Sequence, residues 1–132
     1  MRMQDKVVLV TGGAAGIGRA TALRFAGEGA KVVICDLNAA AGEATARELG
    51  PDAAFYKVNV TSQDEVRQWV ADVVARYGRI DVLVNNAGIV RDGQLVKFKE
   101  GELAGQMAEA DFDLVIGVNL KGVFNCAQAV AP

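Results

Sequence analysis

Short apolar runs alternate along the chain with stretches of helical periodicity. Four runs are rich in apolar and β-branched residues: residues 6–10, 31–36, 53–60 and 81–85. Such nearly continuous apolar character predicts strands buried on both faces, as in a parallel sheet. Helical patterns follow these runs, at residues 17–28, 38–49, 62–77 and 111–131. The predicted order is β-α-β-α-β-α-β-loop-α, with residues 90–107 as the loop and right-handed crossovers between parallel strands.

Polar residues mark the predicted helix starts. Asn38 fits the N-cap of the second helix. Ser62 and Glu65 predict a capping box at the third, in which each side chain bonds the backbone amide of the other residue. The last helix is long, and we expect a bend in it near Asn119 and Gly122.

Composition narrows the class of protein. The 132 residues predict one domain, residues 1–132. With 14 Lys and Arg against 16 Asp and Glu, the net charge is −2, which excludes a nucleic-acid binder that relies on phosphate neutralisation. The absence of His excludes His-based zinc sites and catalytic triads, and no metal is predicted.

The same composition bears on location. Cys35 and Cys126 lie far apart without metal-ligand spacing, so a reducing cytoplasm is predicted. No apolar run approaches the ~20 residues of a membrane span, so no membrane partner is expected.

A glycine-rich loop joins the first strand to the first helix, with the spacing G-x-x-x-G-x-G. Backbone amides in such a turn can face a pyrophosphate, and the helix dipole adds positive charge there. Gly18 would let the helix pack closely on the strand. The loop residues predicted to bind a dinucleotide are Gly12, Ala14, Ala15, Gly16, Ile17 and Gly18. The alternative is a tight turn with no ligand.

Asp36 ends the second strand, where a dinucleotide fold brings an acidic side chain to the adenosine ribose hydroxyls. Its carboxylate would repel a ribose 2′-phosphate, since a like-charge pair at ~4 Å costs about 4 kcal/mol at an effective dielectric near 20. Neither Ala15 nor Leu37 offers a compensating positive charge. We therefore expect NAD(H) to be favoured over NADP(H), with Asp36 and Leu37 at the adenosine. The alternative is an Asp that only ends a strand.

Two motifs together carry a family resemblance: Thr11-Gly12-x-x-x-Gly16-Ile17-Gly18 and Asn85-Asn86-Ala87-Gly88. In type, order and separation they match the classical short-chain dehydrogenase/reductase family, which the chain resembles over essentially its whole length. The resemblance implies an α/β fold with a Rossmann-type doubly wound parallel sheet, here its first four strands and their helices.

The resemblance also implies roles for individual residues. Asn59 and Val60 stand where the family often has Asp-Val near the adenine, and the Asn loses the charge. Three further positions match the nicotinamide end of the family's cofactor site: Asn86, Ala87 and Gly88. Asn119 matches the catalytic-helix Asn. Residues 85–92 look most like the 3-oxoacyl-[acyl-carrier-protein] reductase branch, from which Asp36 and the long segment 94–107 depart. The long segment suggests an altered substrate rim.

The family's chemistry uses a Ser and a Tyr-x-x-x-Lys pair besides the Asn. Tyr56 and Tyr77 lack a Lys four residues later, and Ser62 is better used as a helix cap. The chain therefore resembles the N-terminal half of a reductase, and we expect it to be inactive without a C-terminal half. An apolar edge strand and an apolar stripe on the last helix (Val115, Val118, Val123, Ala127) favour assembly, either as a homo-oligomer or with the missing C-terminal polypeptide.

Three functions remain open from the sequence. The first is an NAD-dependent oxidoreductase that transfers a hydride between the nicotinamide and a carbonyl or alcohol substrate, with a 3-oxoacyl thioester as one candidate. The second is a non-catalytic NAD-binding module. The third is another nucleotide-binding class, such as a methyltransferase, against which the glycine spacing and the Asn-Asn-Ala-Gly motif argue.

Overall fold

The computed structural model describes residues 1–89, 91 and 93–132. Four strands form a parallel sheet of order β3-β2-β1-β4: β1 (Val7–Thr11), β2 (Lys31–Asp36), β3 (Ala54–Lys57) and β4 (Val82–Val84). Three helices connect them: α1 (Gly16–Gly27), α2 (Ala39–Leu49) and α3 (Gln63–Tyr77). A separate hairpin follows, β5 (Val96–Lys99) and β6 (Glu102–Gln106). The chain ends in α4 (Glu109–Ile116), a π-helical segment (Gly117–Lys121) and α5 (Gly122–Val130).

Both faces of the sheet are covered, as the continuous apolar runs predict. Every residue of β1 is buried. On one face, side chains of β1 and β2 pack around Trp69 of α3 and Cys126 of α5. On the other face they pack around Ala22 and Phe25 of α1. The predicted α/β class, a doubly wound parallel sheet with four strands, is confirmed.

The predicted helix caps are confirmed except for half of the capping box. The Asn38 side chain accepts from the Ala41 amide at 3.1 Å, and the Ser62 hydroxyl accepts from the Glu65 amide at 3.3 Å. The reciprocal bond was predicted wrongly: the Glu65 carboxylate accepts from the Asn59 amide at 3.2 Å instead. The Ser62 amide is already used, since it donates to the Asn59 carbonyl at 3.0 Å.

The predicted loop over residues 90–107 is wrong, because most of it forms the β5–β6 hairpin. Lys99 pairs with Glu102 across a two-residue turn in which Glu100 and Gly101 both have positive φ, the conformation that matches strand twist in tight hairpins. The two strands are short and carry exposed apolar side chains: Phe98 is 66 % and Leu103 54 % exposed. Alternation over only four or five residues is a weak signal, which is why the pattern was missed.

Most element boundaries lie within one or two residues of the prediction, and the end of β3 differs by more. β3 ends at Lys57 rather than at residue 60, because the Asn59 side chain accepts from the Thr61 amide at 3.0 Å and turns the chain out of the sheet. Near Asn119 and Gly122, where a bend is predicted, the structure has a π-helical segment, Gly117–Lys121, between α4 and α5. The bend itself stays a prediction. Among the residues described, no helix is long and apolar enough to cross a membrane.

At the amino edge of the sheet, Asp81, which precedes β4, connects to the start of β1 and to Arg79. The Asp81 carboxylate accepts from the Val7 amide at 2.8 Å and forms an ion pair with Arg79. Hydrogen bonding to Arg79, and then to the Val7 amide, holds the pKa of Asp81 below its usual range. This edge therefore joins β1 to β4 through groups that are already paired.

Candidate functional site

The carboxyl ends of the strands meet around a cavity of about 150 Å³. Its walls combine several sequence-predicted residues: Gly12, Asp36, Leu37, Asn59, Val60, Ala87 and Gly88. Cys35, Val58, Ile89 and Val118 complete the lining. Ligands of open α/β sheets bind at this edge, outside the carboxyl ends of the strands.

Three glycines of the loop after β1 each meet a different requirement. A Cβ on Gly18 would lie 2.1 Å from the Gly12 carbonyl oxygen, so no side chain fits there. Gly12 has φ +65°, and its Cβ would lie 3.0 Å from the Ala87 Cα. Gly16 has φ +58° and nothing within 4 Å of a built Cβ, so its side faces open space. The loop is thus packed tightly against the residues that follow β4 at Gly12, and it borders open space at Gly16.

The N-terminus of α1 follows the glycine loop and has no side-chain cap. Ala15 is the N-cap residue, has an extended backbone and makes no capping bond. The first amides of a helix have no intrahelical partner, and here they belong to Gly16, Ile17 and Gly18. The Ile17 side chain is 79 % exposed. These unpaired amides and the helix dipole suit a phosphate group.

Asp36 both lines the cavity and fixes the glycine loop. One of its carboxylate oxygens accepts from the Ala14 amide at 3.2 Å, and the other accepts from the Asn38 amide at 3.1 Å. Ala14 is buried, and its carbonyl accepts from the Thr45 hydroxyl at 2.9 Å. Ala14 is therefore hydrogen-bonded within the protein through both its amide and its carbonyl, which makes it part of the support of the loop.

A second set of bonds ties the end of β1 to the end of β4. The Asn86 side-chain amide donates to the carbonyls of Thr11 and Gly12, both at 3.1 Å. The buried Thr11 hydroxyl accepts from the Asn86 amide at 3.0 Å and from the Ala87 amide at 2.9 Å. Sequence reasoning placed Asn86 here but gave no role to Thr11. A hydroxyl residue between a fully buried strand and a glycine is the signal that could have indicated it.

Asn119 lies in the π-helical segment and holds the chain that follows β4. Its side-chain oxygen accepts from the Ile89 amide at 2.8 Å, and its nitrogen donates to the Ile89 carbonyl at 2.9 Å. The side-chain oxygen and nitrogen of Asn119 thus both bond to the backbone of Ile89. Single π-turns within α-helices are frequent at functional sites. Ile89 is a further residue that the sequence prediction missed.

The predicted residues fall into two groups in space. The first group lines the cavity and was listed with its walls. The second group is absent from the described lining. It consists of Asn86, Asn119 and five residues of the glycine loop: Ala14, Ala15, Gly16, Ile17 and Gly18. Of this second group, Ala15, Gly16 and Ile17 are exposed at the start of α1. Asn86 and Asn119 instead support residues that do line the cavity.

The electrostatics of the cavity are set by one carboxylate and an apolar floor. Asp36 lines it, and no Lys or Arg is found among the described lining residues. Burial raises the pKa of the Cys35 thiol beneath it, and raises that of Cys126 to about 11. Both thiols are therefore protonated at neutral pH and are unsuited to nucleophilic chemistry.

Larger grooves lie elsewhere, including two of about 270 and 280 Å³ that contain no residue predicted to bind a cofactor. One of about 520 Å³ runs along α1 beside Met3 and Phe25, and one of about 590 Å³ lies between Arg47 and Phe55. Neither is lined by any residue predicted to bind a cofactor, so the smaller cavity at the carboxyl edge is the candidate site.

Comparison with known proteins agrees with this geometry. A sequence profile described as short chain dehydrogenase matches residues 6–132. The chain belongs to the short-chain dehydrogenase family. The resemblance carried by the two motifs is thereby confirmed, and the methyltransferase alternative is set aside. Of the segment 85–92 that indicated a reductase branch, Val90 and Asp92 lie outside the described residues.

Several of the proteins to which the chain is similar are named as reductases. The chain is 48 % identical to a 3-oxoacyl-[acyl-carrier-protein] reductase of Thermotoga maritima, covering 100 % of this chain and 51 % of the relative. It is 43 % identical to tropinone reductase-like 2 of Erythroxylum coca, covering 93 % and 43 %. The crystal structure of a Brucella melitensis 3-ketoacyl-(acyl-carrier-protein) reductase complexed with NADH superposes with a TM-score of 0.85 at 35 % identity, covering 96 % and 48 %. The chain spans about half the length of the curated relatives it matches.

Proposed function

We propose that residues 1–132 are the NAD(H)-binding domain of an oxidoreductase acting on a carbonyl or alcohol substrate. The observation that carries this is the convergence, at one cavity, of Gly12 at the start of the glycine loop, Asp36 and the Ala87–Gly88 turn. Each comes from a different strand end, and together they match the parts that a dinucleotide needs. The similarity to 3-oxoacyl reductases supports a 3-oxoacyl thioester as the substrate class.

The residues present fit a dinucleotide. The uncapped amides of Gly16–Gly18 would take the pyrophosphate, and Asp36 would take the adenosine ribose. The adenine would pack between Leu37 and the Asn59–Val60 segment, and the nicotinamide riboside would lie along Ala87 and Gly88. Open space at Gly16 and the absence of room for a side chain at Gly18 support this assignment. When bound, the nicotinamide supplies or accepts the hydride.

Asp36 favours NAD(H) over NADP(H). A 2′-phosphate beside its carboxylate would be repelled, and no cationic side chain among the described lining residues would offset that repulsion. The Brucella reductase was crystallised in complex with NADH, which is in keeping with the proposal.

Hydride transfer to a substrate needs residues that these 132 do not contain. Tyr77 donates its hydroxyl to the Asp52 carbonyl at 2.8 Å, and burial raises its pKa. Tyr56 packs against the core. Neither is followed by a Lys four residues later, and Asn119 is the one matching member of the catalytic set. We therefore propose that residues 1–132 bind cofactor without turnover unless a Ser, Tyr and Lys are supplied.

A second copy of the chain is the proposed partner. The apolar stripe predicted at Val115, Val118, Val123 and Ala127 is not a single exposed surface, because Val118 packs against the core. A different stripe is exposed on the same helix, at the four-residue spacing that marks one helical face: Phe112, Ile116, Leu120 and Phe124. The mass of the protein in solution tests this proposal, and a monomer at micromolar concentration would contradict it.

The cofactor proposal is tested by titrating NADH and NADPH against the protein and an Asp36→Ala variant. Wild type should bind NADH at least about tenfold more tightly than NADPH, which is about 1.4 kcal/mol. The variant should lose most of that preference, because the repulsion of the 2′-phosphate is gone. Asp52→Ala is the matched control: it removes the same charge from an exposed turn before β3, at the other edge of the sheet.

Two results would contradict the proposal. Equal preference in wild type and Asp36→Ala would show that Asp36 does not face the 2′ position. No NADH binding at all would remove the cofactor function itself. Carbonyl reduction, assayed with and without an added polypeptide carrying the family's Ser, Tyr and Lys, separates an enzyme domain from a non-catalytic NAD-binding module.

A further inference from the structure

The last helix carries a second Asn whose side chain is buried against the candidate site. Asn125 of α5 is only 2 % exposed, and its side-chain nitrogen donates to the Val60 carbonyl at 2.9 Å. Its side-chain oxygen is buried and has no hydrogen-bond partner among the residues that the structure describes. Burying an unpaired acceptor is unfavourable. The favourable contribution of the amide at this position therefore comes from its N–H group, which donates to the Val60 carbonyl.

The same helix also presses on Val60 at a second point. Gly122 lies one turn before Asn125, on the same side of α5. A Cβ on Gly122 would lie 2.8 Å from the Val60 Cγ2 atom and 3.3 Å from its Cβ. Two adjacent positions of α5 thus fix both the side chain and the carbonyl of Val60.

Val60 belongs to the wall of the cavity that stands beside Asp36. In the sheet, Lys57 is paired with Asp36, so the chain that leaves β3 runs past the end of β2. Val58, Asn59 and Val60 all line the cavity there. This wall is the surface proposed above for the adenine, and a flat ring in a slot is sensitive to small shifts of either side.

We propose that Asn125 is a positioning residue for the adenine end of the cofactor site: its N–H holds the Val60 carbonyl and, through it, the 58–60 wall. This rests on the proposed dinucleotide-binding function. Asn119 and Asn125 then share one task, since the first holds the chain after β4 and the second holds the chain after β3. One helix sets the spacing of the two walls.

The decisive experiment exchanges the amide for a carboxyl of nearly the same shape. In Asn125→Asp, the ionised side chain cannot donate to Val60, whereas the protonated one can. Burial raises the pKa of the introduced carboxyl from its ordinary value of about 4 toward the range from about pH 5 to 8. Affinity for ADP-ribose, whose pyrophosphate does not titrate between about pH 5 and 8, is measured by calorimetry across that range, with NADH in parallel.

At pH 8 we expect the variant to bind ADP-ribose about tenfold more weakly than wild type, and at pH 5 to recover most of that loss. Titratable groups on the neighbouring elements include Asp36, which lines the same cavity, Glu65, which is bonded to the Asn59 amide, and the thiols of Cys35 and Cys126. The wild-type profile over the same pH range measures their contribution. No loss at pH 8, or a loss that is equal at both pH values, would overturn the proposal, since binding would then not follow the hydrogen-bond donor at position 125.

Further variants keep the question answerable if Asn125→Asp fails to fold. Asn125→Leu keeps the volume and removes the donor, so it should weaken ADP-ribose binding at every pH. Gly122→Ala should also weaken binding, whereas the matched control Gly117→Ala, whose Cβ would lie 3.5 Å from Thr61, should not. Unchanged binding in Asn125→Leu and Gly122→Ala would overturn the proposal. If wild type itself binds neither ADP-ribose nor NADH, the failure lies with the proposed function.

Discussion

The N-termini of α1 and α3 meet the same physical problem in opposite ways. Each leaves backbone amides without intrahelical partners. At α3, the Ser62 hydroxyl accepts from the Glu65 amide, and Asp64 and Glu65 place negative charge in the first turn. At α1, the N-cap is Ala15, no capping bond forms, and the first turn contains no acidic residue.

The difference separates a helix start built for stability from one left open for a ligand. A Ser N-cap and acidic first-turn residues stabilise α3 through its own side chains. The start of α1 forgoes that stabilisation, although an Asp or Ser at Ala15 would fit the extended backbone already present there. A bound pyrophosphate can accept from the amides at the start of α1, which no side chain caps. Three substitutions test this comparison of the two helix starts.

The largest effect is expected from filling the tight contact behind α1. In Gly18→Ala, the new Cβ would lie 2.1 Å from the Gly12 carbonyl oxygen, so the loop or the helix must move. We expect a loss of about 3 kcal/mol in the free energy of unfolding, at the upper end for overpacking, together with loss of NADH binding. Urea denaturation and NADH fluorescence measure the two.

Gly27→Ala is the matched control for that change. Gly27 lies in the same helix as Gly18, and nothing lies within 4 Å of a Cβ built on it. It should stabilise the protein by about 0.5–1 kcal/mol and leave NADH affinity unchanged. If Gly18→Ala behaved like Gly27→Ala, the close packing of α1 on the loop would be wrong.

An intermediate effect, opposite in sign for stability and binding, is expected from capping α1. Ala15→Asp gives α1 the side-chain acceptor that α3 already has, which should raise the stability of the free protein by about 1 kcal/mol. The same carboxylate would stand where the pyrophosphate is proposed, so NADH affinity should fall about tenfold or more. Thermal unfolding with and without NADH gives both numbers. Undiminished NADH binding would place the phosphates elsewhere.

The smallest effect is expected from removing the cap of α3. Ser62→Ala should cost about 1 kcal/mol of stability, because the Glu65 amide loses its acceptor. NADH affinity should stay within about twofold of wild type, which is below 0.5 kcal/mol. A fall in affinity as large as that of Ala15→Asp would mean that the two helix starts do not have separate roles.

Local signals were sufficient where each element is specified by its own residues. The continuous apolar run of β2 predicts the strand from Lys31 to Asp36 with the bounds that the structure has. Asn38 and Ser62 likewise predict the starts of α2 and α3, because a cap bonds amides two or three residues away. The hairpin at Val96–Gln106 was missed for the converse reason, since four or five alternating residues with charged neighbours do not differ clearly from a loop.

The glycine loop, Asp36 and the Asn-Asn-Ala-Gly turn could be found from the sequence because each is a short, contiguous motif. Their supports could not. The bonds from Thr11 to the end of β4, from Thr45 to Ala14 and from Asn125 to Val60 join residues 31 to 76 positions apart. A residue type can single out a position such as Thr11, but it does not indicate which distant residue will be the partner.

By itself, then, the sequence determined the alternating order of elements, the parallel buried sheet, the glycine-rich turn before α1 and the acidic end of β2. These follow from periodicity, capping chemistry and backbone conformation, which act within a few residues. Only the tertiary structure decided that Asp36 also holds the Ala14 amide, that a π-turn directs Asn119 to Ile89, and that α5 fixes the wall at Val60. Those outcomes depend on which surfaces pack together, and packing is settled by the whole core rather than by neighbours in the chain.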